Sequence, residues 1–296
     1  LSISPSSRIL ASGSRDKTIK LWRLDSGELL HTFEGRSLWS NTGHQDRISA
    51  LAFSRDGRML ISSSHDGTVK LWDLSDQALL STLPGHGWDV SAIALDLESD
   101  LLASGGSDGS IQLWDAATDQ LLANLTQHQD RVSALVIDPQ HNVLVSGSYD
   151  KTICFWNLST DQVIHVLKGH VDRVSALSLT PDGAILISGS WDKTIKFWDV
   201  QHQEQLRVFS AHRDRINCLA MHPTGQLFAS GSEDSTIKIW DLKIGDLQGS
   251  DRTAFADNRL CILRHAWGVN AIAFSGDGQW LVSGSADETI KIWQTA

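Results

Sequence analysis

The chain reads as an all-β protein made of one structural unit copied seven times, and three observations predict it. The segment SGSRDKTIKLW, ending at Trp22, returns six more times with small changes, its tryptophan recurring at Trp72, Trp114, Trp156, Trp198, Trp240 and Trp293. Successive tryptophans are 50, 42, 42, 42, 42 and 53 residues apart, which describes a 42-residue unit interrupted by two insertions. Within each copy, β-branched and aromatic runs are cut by turn formers at short, regular intervals, the pattern of strands rather than helices. A period of this length means a solenoid, a propeller or an array.

The copy that starts at His170 runs GHVDRVSALSLTPDGAILISGSWDKTIKFWDV once its preceding glycine is included. It predicts strand A near residues 174–179, a turn at Pro181-Asp182-Gly183, strand B near 184–188, strand C near 194–199 and strand D near 205–209. The turn has a mechanism: proline pre-sets φ, aspartate bonds the backbone, and glycine accepts a positive φ. Four such strands make one twisted antiparallel sheet. Seven sheets packed radially bury both faces of each, which only a closed ring does for every copy. The expected fold is therefore a seven-bladed β-propeller forming one domain over residues 1–296, because repeat architectures grow by copying a unit rather than by enlarging one core. From Trp293 to the end and from Leu1 to Trp22 there are 25 residues, where the period requires 42. The outer strand of blade seven is thus absent from the given chain. It is expected from beyond the given ends, upstream of Leu1, since an open strand edge is normally covered.

Each copy carries more than its tryptophan. Counting back from Trp198, Asp192 stands six residues earlier, Ser188 ten and His170 twenty-eight, and the same offsets give His44, His86, His128, His212 and His265 in the other copies. With Trp-Asp at Trp72, Trp114, Trp198 and Trp240 and Gly-His at His44, His86 and His170, the chain closely resembles the WD-repeat family over its full length. Departures are few: Arg23, Asn157 and Gln294 follow their tryptophans, and Gln127, Ala211 and Arg264 replace the glycine before histidine. The resemblance implies that His, Ser, Asp and Trp form a hydrogen-bonded network inside each blade, with indole donating, Ser and His relaying and Asp accepting.

A histidine, a serine and an aspartate also invite a nucleophilic reading. That reading fails on number, because an active site needs one such constellation and the complete set occurs six times. Each unpaired buried polar group costs about 1 to 3 kcal/mol, so mutation of these residues is expected to destabilise rather than inactivate. Neither a catalytic residue nor a metal site nor a cofactor is expected. Cys154, Cys218 and Cys261 lie far apart without a Cys-x-x-Cys pair, which argues against a disulfide framework or a zinc site. No run of eighteen apolar residues and no N-terminal charged-then-apolar segment occurs, so neither a membrane partner nor a signal peptide is expected, and the location expected is cytoplasmic.

The net charge of −10 speaks against a nucleic-acid backbone as partner. Loops joining strands A to B and C to D share one rim of a four-stranded meander, and they are acidic, with Asp25, Asp56, Asp96, Asp119, Asp161 and Asp246 among their residues. The opposite rim, made of B to C and D to A loops, mixes aspartates with Arg47, Arg131, Arg173 and Arg215 and with aromatic residues. Five tryptophans stand outside the period. Trp280 falls in strand B of blade seven and is expected in the core, while Trp39, Trp88, Trp191 and Trp267 map to the arginine rim, where Tyr149 occupies the slot of Trp191 one blade earlier.

Tryptophan, tyrosine and arginine dominate binding hot spots, since each offers a large face with a polar handle. The leading expectation is a non-enzymatic interaction scaffold that takes a protein or peptide on this rim through Trp191, Arg173, Arg131, Tyr149 and Arg215. Arg47, Trp88, Trp267 and Trp39 are further candidates, the last inside the insertion before His44. The alternative is a reader of modified peptides, with aromatics boxing a methylated lysine or arginines gripping phosphate. A propeller hydrolase is the third reading, and no catalytic cluster supports it. The near-identity of DKTIKLW, DKTICFW and DKTIKFW resembles the propellers of bacterial multidomain signalling proteins.

Overall fold

A computed structural model describes residues 1–35, 42–96, 98–242 and 258–295, which hold strands, turns and bends but no helix. The chain divides into two compact units, residues 1–148 with 154–164 and residues 149–153 with 165–296. In the first unit, strands β1 (Ser2–Ile3), β2 (Ile9–Gly13), β3 (Ile19–Arg23) and β4 (Leu29–Phe33) pair in sequence order. The same order holds for β5 (Ile48–Phe53), β6 (Met59–Ser64), β7 (Val69–Asp73) and β8 (Ala78–Leu83), and for β9 (Val90–Leu95), β10 (Leu101–Gly106), β11 (Ser110–Asp115) and β12 (Gln120–Thr126). The boundary between units runs through the fourth sheet, formed by β13 (Val132–Asp138), β14 (Val143–Ser148), β15 (Thr152–Asn157) and β16 (Gln162–Lys168).

The second unit continues with β17 (Val174–Leu179), β18 (Ile185–Ser190), β19 (Thr194–Asp199) and β20 (Glu204–Ser210), then β21 (Ile216–Met221), β22 (Leu227–Ser232), β23 (Thr236–Asp241) and β24 (Arg259–Arg264). The seventh sheet has three strands among the described residues, β25 (Val269–Phe274), β26 (Trp280–Ser285) and β27 (Ile290–Gln294). These sheets are the seven blades. Strands A and C of the fifth blade fall where the sequence puts them. Strand B starts at Ile185 and reaches Ser190, and strand D gains one residue at each end. The turn between β17 and β18 works as its residues dictate: Thr180 Oγ donates to Asp182 Oδ1 at 2.5 Å, Ala184 N donates to the same oxygen, and Gly183 turns at φ 68°.

Apolar residues pack between neighbouring sheets, so that interior sheets bury both faces. Ile19, Leu21 and Phe33 of the first sheet meet Leu51, Leu60 and Trp72 of the second, and Ile61, Val69 and Leu71 of the second meet Val90, Leu102 and Trp114 of the third. In the second unit Ile187, Ile195 and Phe197 meet Ile216, Phe228 and Trp240, and Ala229 and Ile237 meet Val269 and Leu281. The repeated tryptophan caps each layer, as where the Phe209 ring lies 4.9 Å from Trp240. Opposite it, strand D skips one residue, Phe197 pairing with Arg207 and Trp198 with Gln205, and this bulge re-aims the strand around the indole.

A polar stitch crosses the same interfaces. Ser49 Oγ donates to the carbonyl of Val90 at 2.6 Å, Ser91 Oγ to Val132 at 2.7 Å, Ser175 Oγ to Ile216 at 2.5 Å and Asn217 Nδ2 to Val269 at 3.0 Å. Each accepting carbonyl belongs to the first residue of the next strand A. A short side chain thus gives a backbone carbonyl of the next blade a hydrogen-bond donor.

Candidate functional site

The repeated polar residues converge in the blade interior. In the fifth blade Trp198 Nε1 donates to Ser188 Oγ at 2.8 Å, His170 Nε2 meets the same oxygen at 2.8 Å, and His170 Nδ1 meets Asp192 Oδ2 at 2.8 Å. The second, sixth and seventh blades repeat this through His44, His212 and His265, the last with distances of 2.8 Å to Ser283 and 3.1 Å to Asp287 despite its atypical neighbours. In the fourth blade His128 Nε2 meets Ser146 Oγ at 2.8 Å. The order Asp, His, Ser matches a nucleophilic triad, but Ser188 is fully buried and its oxygen already accepts from an indole, so no substrate reaches it.

Two further members belong to this network. Thr194 Oγ donates to Asp192 Oδ1 at 2.6 Å, and Ser190 Oγ accepts from Asp192 N at 3.0 Å while donating to the Asp172 carbonyl at 3.1 Å. Their signal was in the sequence, a Thr or Ser four residues before every tryptophan and a Ser eight before six of seven. The third blade is the exception. Gly106 replaces that serine, Ser110 the threonine, and His86 Nδ1 turns to Ser110 Oγ at 2.8 Å with Asp108 3.6 Å away. At Asp192 burial pushes the pKa up, but hydrogen bonds from His170 and Thr194 outweigh it and hold the carboxyl well below the usual range; Asp66 and Asp234 behave alike. Burial lowers the pKa of His212 and of His86 against the pull of their aspartates.

On the B to C and D to A side of the second unit, the candidate binding residues form a stack. The residue before strand A and the residue after strand B of one blade face each other through a backbone bond, Trp191 N donating to Arg173 O at 2.9 Å and Glu233 N to Arg215 O at 3.0 Å. The arginine therefore also reaches the aromatic of the preceding blade. Arg173 Cζ lies 4.5 Å from the centroids of both Tyr149 and Trp191, and Arg215 Cζ lies 4.5 Å from the Trp191 centroid. The two rings are 5.4 Å apart at 52°. Aspartates preceding these arginines do not neutralise them: Asp172 and Asp214 accept from the backbone N–H of Arg173 and Arg215 at 2.8 Å each and so fix the loop.

The corresponding positions of the first unit are polar. Arg131 Nη2 donates to Asp89 Oδ2 at 2.9 Å, the same oxygen is 2.6 Å from His65 Nδ1, and Arg47 Nη2 is 3.2 Å from that nitrogen. Arg131 thus meets a carboxylate of the preceding blade, and Arg47 an imidazole of its own blade. Trp88 and Trp267 are 70% and 63% exposed. Trp280, expected in the core, is half-buried at the start of β26. Trp39 lies outside the described residues, as does Asp246 of the acidic rim. Among the described residues no group of three His, Cys, Asp or Glu side chains could hold a metal, and no helix is long and apolar enough to cross a membrane.

Comparison with curated protein sequences gave no match. A chain in the solved structure described as "Crystal Structure of Mitotic Checkpoint Complex" superposes with a TM-score of 0.84, covering 100% of this chain and 86% of that one at 21% identity, a likeness that shows the fold. The family described as WD domain, G-beta repeat matches residues 1–23, 27–73, 77–115, 119–157, 161–199, 203–241 and 258–294. Seven matched repeats, the later six each joining the last strand of one sheet to the first three of the next, place this chain in the WD40 repeat family as a seven-bladed β-propeller.

Proposed function

We propose that the chain is a non-enzymatic docking module that takes a peptide or protein on the B to C and D to A loops of its second unit, with Tyr149, Arg173, Trp191 and Arg215 as the energetic centre. The observation that supports this is the stack itself: two guanidinium groups, each 4.5 Å from the Trp191 ring. A guanidinium that lies face-on to an indole keeps its N–H edge for a carboxylate or phosphate, and the ring holds it without neutralising its charge. Such a pre-organised pair loses little rotamer freedom on binding. The ligand chemistry that fits is an extended segment carrying acidic side chains.

Selection of nine-residue peptides from a random display library on the wild-type chain tests this. Enrichment of Asp or Glu that disappears with Trp191→Ala and with Arg215→Ala supports the reading. Peptides whose binding ignores both substitutions would refute it. A phosphorylated copy of the selected peptide that binds more tightly than its glutamate version would favour the modified-peptide reading, because two forks on one ring suit a tetrahedral dianion.

A further inference from the structure

The row of residues that ends at Arg215 continues through Glu233 and Gly268. At this edge of the second unit every residue before a strand A meets the residue after strand B of the preceding blade. Arg173 does so with Tyr149 and Arg215 with Trp191, and in the first unit Asp89 does so with His65. At the next step the residue after strand B is Glu233, and the position that supplies arginine in four other blades is Gly268. The Glu233 carboxylate lies over this glycine, its Oε2 2.7 Å from where a Cβ would stand. Its hydrogen bond comes from Asn217 Nδ2 at 3.0 Å, a neutral donor, while Arg215, its own blade's arginine, is committed to Trp191.

The same chain shows what a carboxylate in this row takes when a cation is in reach. Asp89 binds the Arg131 guanidinium of the next blade at 2.9 Å. Glu233 has no described cation within ion-pair distance, because the next blade offers a glycine. It is exposed, and the residue before that glycine is Trp267, 63% exposed. A guanidinium pairs with a carboxylate and stacks on an indole, and this edge exposes both: Glu233 over Gly268, and Trp267 as the residue preceding that glycine.

We infer that Glu233, Gly268 and Trp267 form a subsite for an arginine side chain of the docked partner, supplying from outside the guanidinium that Gly268 does not. The inference rests on the docking reading and deepens it: the recognised segment carries an acidic residue for Arg173 and Arg215 and an arginine for Glu233. Lysine fits less well, since its point charge forms neither a bidentate pair nor a planar stack.

The experiment is the same library selection, run on the wild type, on Glu233→Gln and on Gly268→Arg. The last variant builds the missing arginine into the chain. Gly268 has no strained φ, and the three atoms nearest an added Cβ all belong to the flexible end of Glu233, so the variant is expected to fold, as a melting curve verifies. Arginine is expected at one enriched position on the wild type, and either substitution should lower affinity for the selected peptide by about tenfold or more. The arginine-to-lysine version of the peptide should also bind more weakly. Enrichment without arginine, or arginine enrichment that survives both variants, overturns the inference. If selected peptides depend on Trp191 but not on Glu233, the subsite fails and the docking reading stands. If they depend on Glu233 but not on Trp191 or Arg215, the subsite stands and the stack is not the docking centre. If no peptide is selected, both fail.

Discussion

At the scale of the residue, the repeated histidine is a structural relay whose loss is felt in folding. His170→Ala takes a buried hydrogen-bond partner from both Ser188 and Asp192, so stability should fall by about 1 to 3 kcal/mol in urea denaturation, with peptide affinity of the folded fraction unchanged. Asp108→Ala should cost less than Asp192→Ala, because His86 is held by Ser110 and stands 3.6 Å from Asp108. Within the network the shifted groups give the pH dependence one sign. His86 and His212 titrate below their ordinary 6.5 when folded, so the unfolded chain binds more protons and stability declines as pH falls below that value. Asp66, Asp192 and Asp234 lie below their ordinary 3.8 when folded and add a second loss as pH drops through and beneath it. Stability that stays flat from pH 7 down to pH 5 would show that neither histidine is held neutral by burial. The four-residue relay was legible in the sequence because its offsets never drift. The threonine and the second serine recur at fixed offsets too, with the third blade as exception, but short hydroxyl side chains in turns are so common that their period does not stand out.

At the scale of the element, the blade was legible because its turns carry their own chemistry. The B to C turn is the telling case. It needs a left-handed residue after the aspartate, and Gly67 and Gly109 supply one at φ 82°, whereas Lys17, Lys151 and Lys193 adopt φ of 74°, 73° and 72°. The lysines pay for a conformation that glycine takes freely, about 1 to 2 kcal/mol, partly offset by glycine's greater unfolded entropy. Lys193→Gly should therefore raise stability by about 0.5 to 1 kcal/mol. A fall in denaturation midpoint would show that the Lys193 side chain is itself engaged. The stitch between blades was not legible. A serine two residues into strand A looks like any polar strand residue, and its acceptor lies 41 positions further on, in the next copy. Ser175→Ala should cost about 1 kcal/mol by leaving the Ile216 carbonyl without that donor, and Ser175→Thr, which keeps the hydroxyl, should recover part of it.

At the scale of the whole molecule, period and loop order identified the arginine and aromatic rim, but not which of its members meet. That depends on lateral adjacency: Arg173 stacks on Tyr149 and Arg215 on Trp191, each pair 24 residues apart and in different blades. Sequence treats Arg47, Arg131, Arg173 and Arg215 as equivalents, and only the neighbour separates them, since Asp89 neutralises Arg131 while Trp191 leaves Arg215 charged. The stack also changes what its removal should do. Trp191→Ala removes two guanidinium–indole contacts, leaving Arg173 on Tyr149 alone, so stability should fall by about 1 to 2 kcal/mol, taking each pair at about 0.5 to 1 kcal/mol, while peptide affinity should fall by about 2 kcal/mol or more, as for a central hot-spot residue. The acidic rim is the control, and its variants must respect the backbone. Asp119 and Asp161 sit at φ 61° and 57°, where alanine is strained and asparagine is not. Asp161→Asn and Asp119→Asn should leave both melting temperature and calorimetric affinity near wild type. If those two variants lose binding while Trp191→Ala keeps it, the docking surface is the acidic rim, and the arginine stack holds neighbouring blades together and does nothing more.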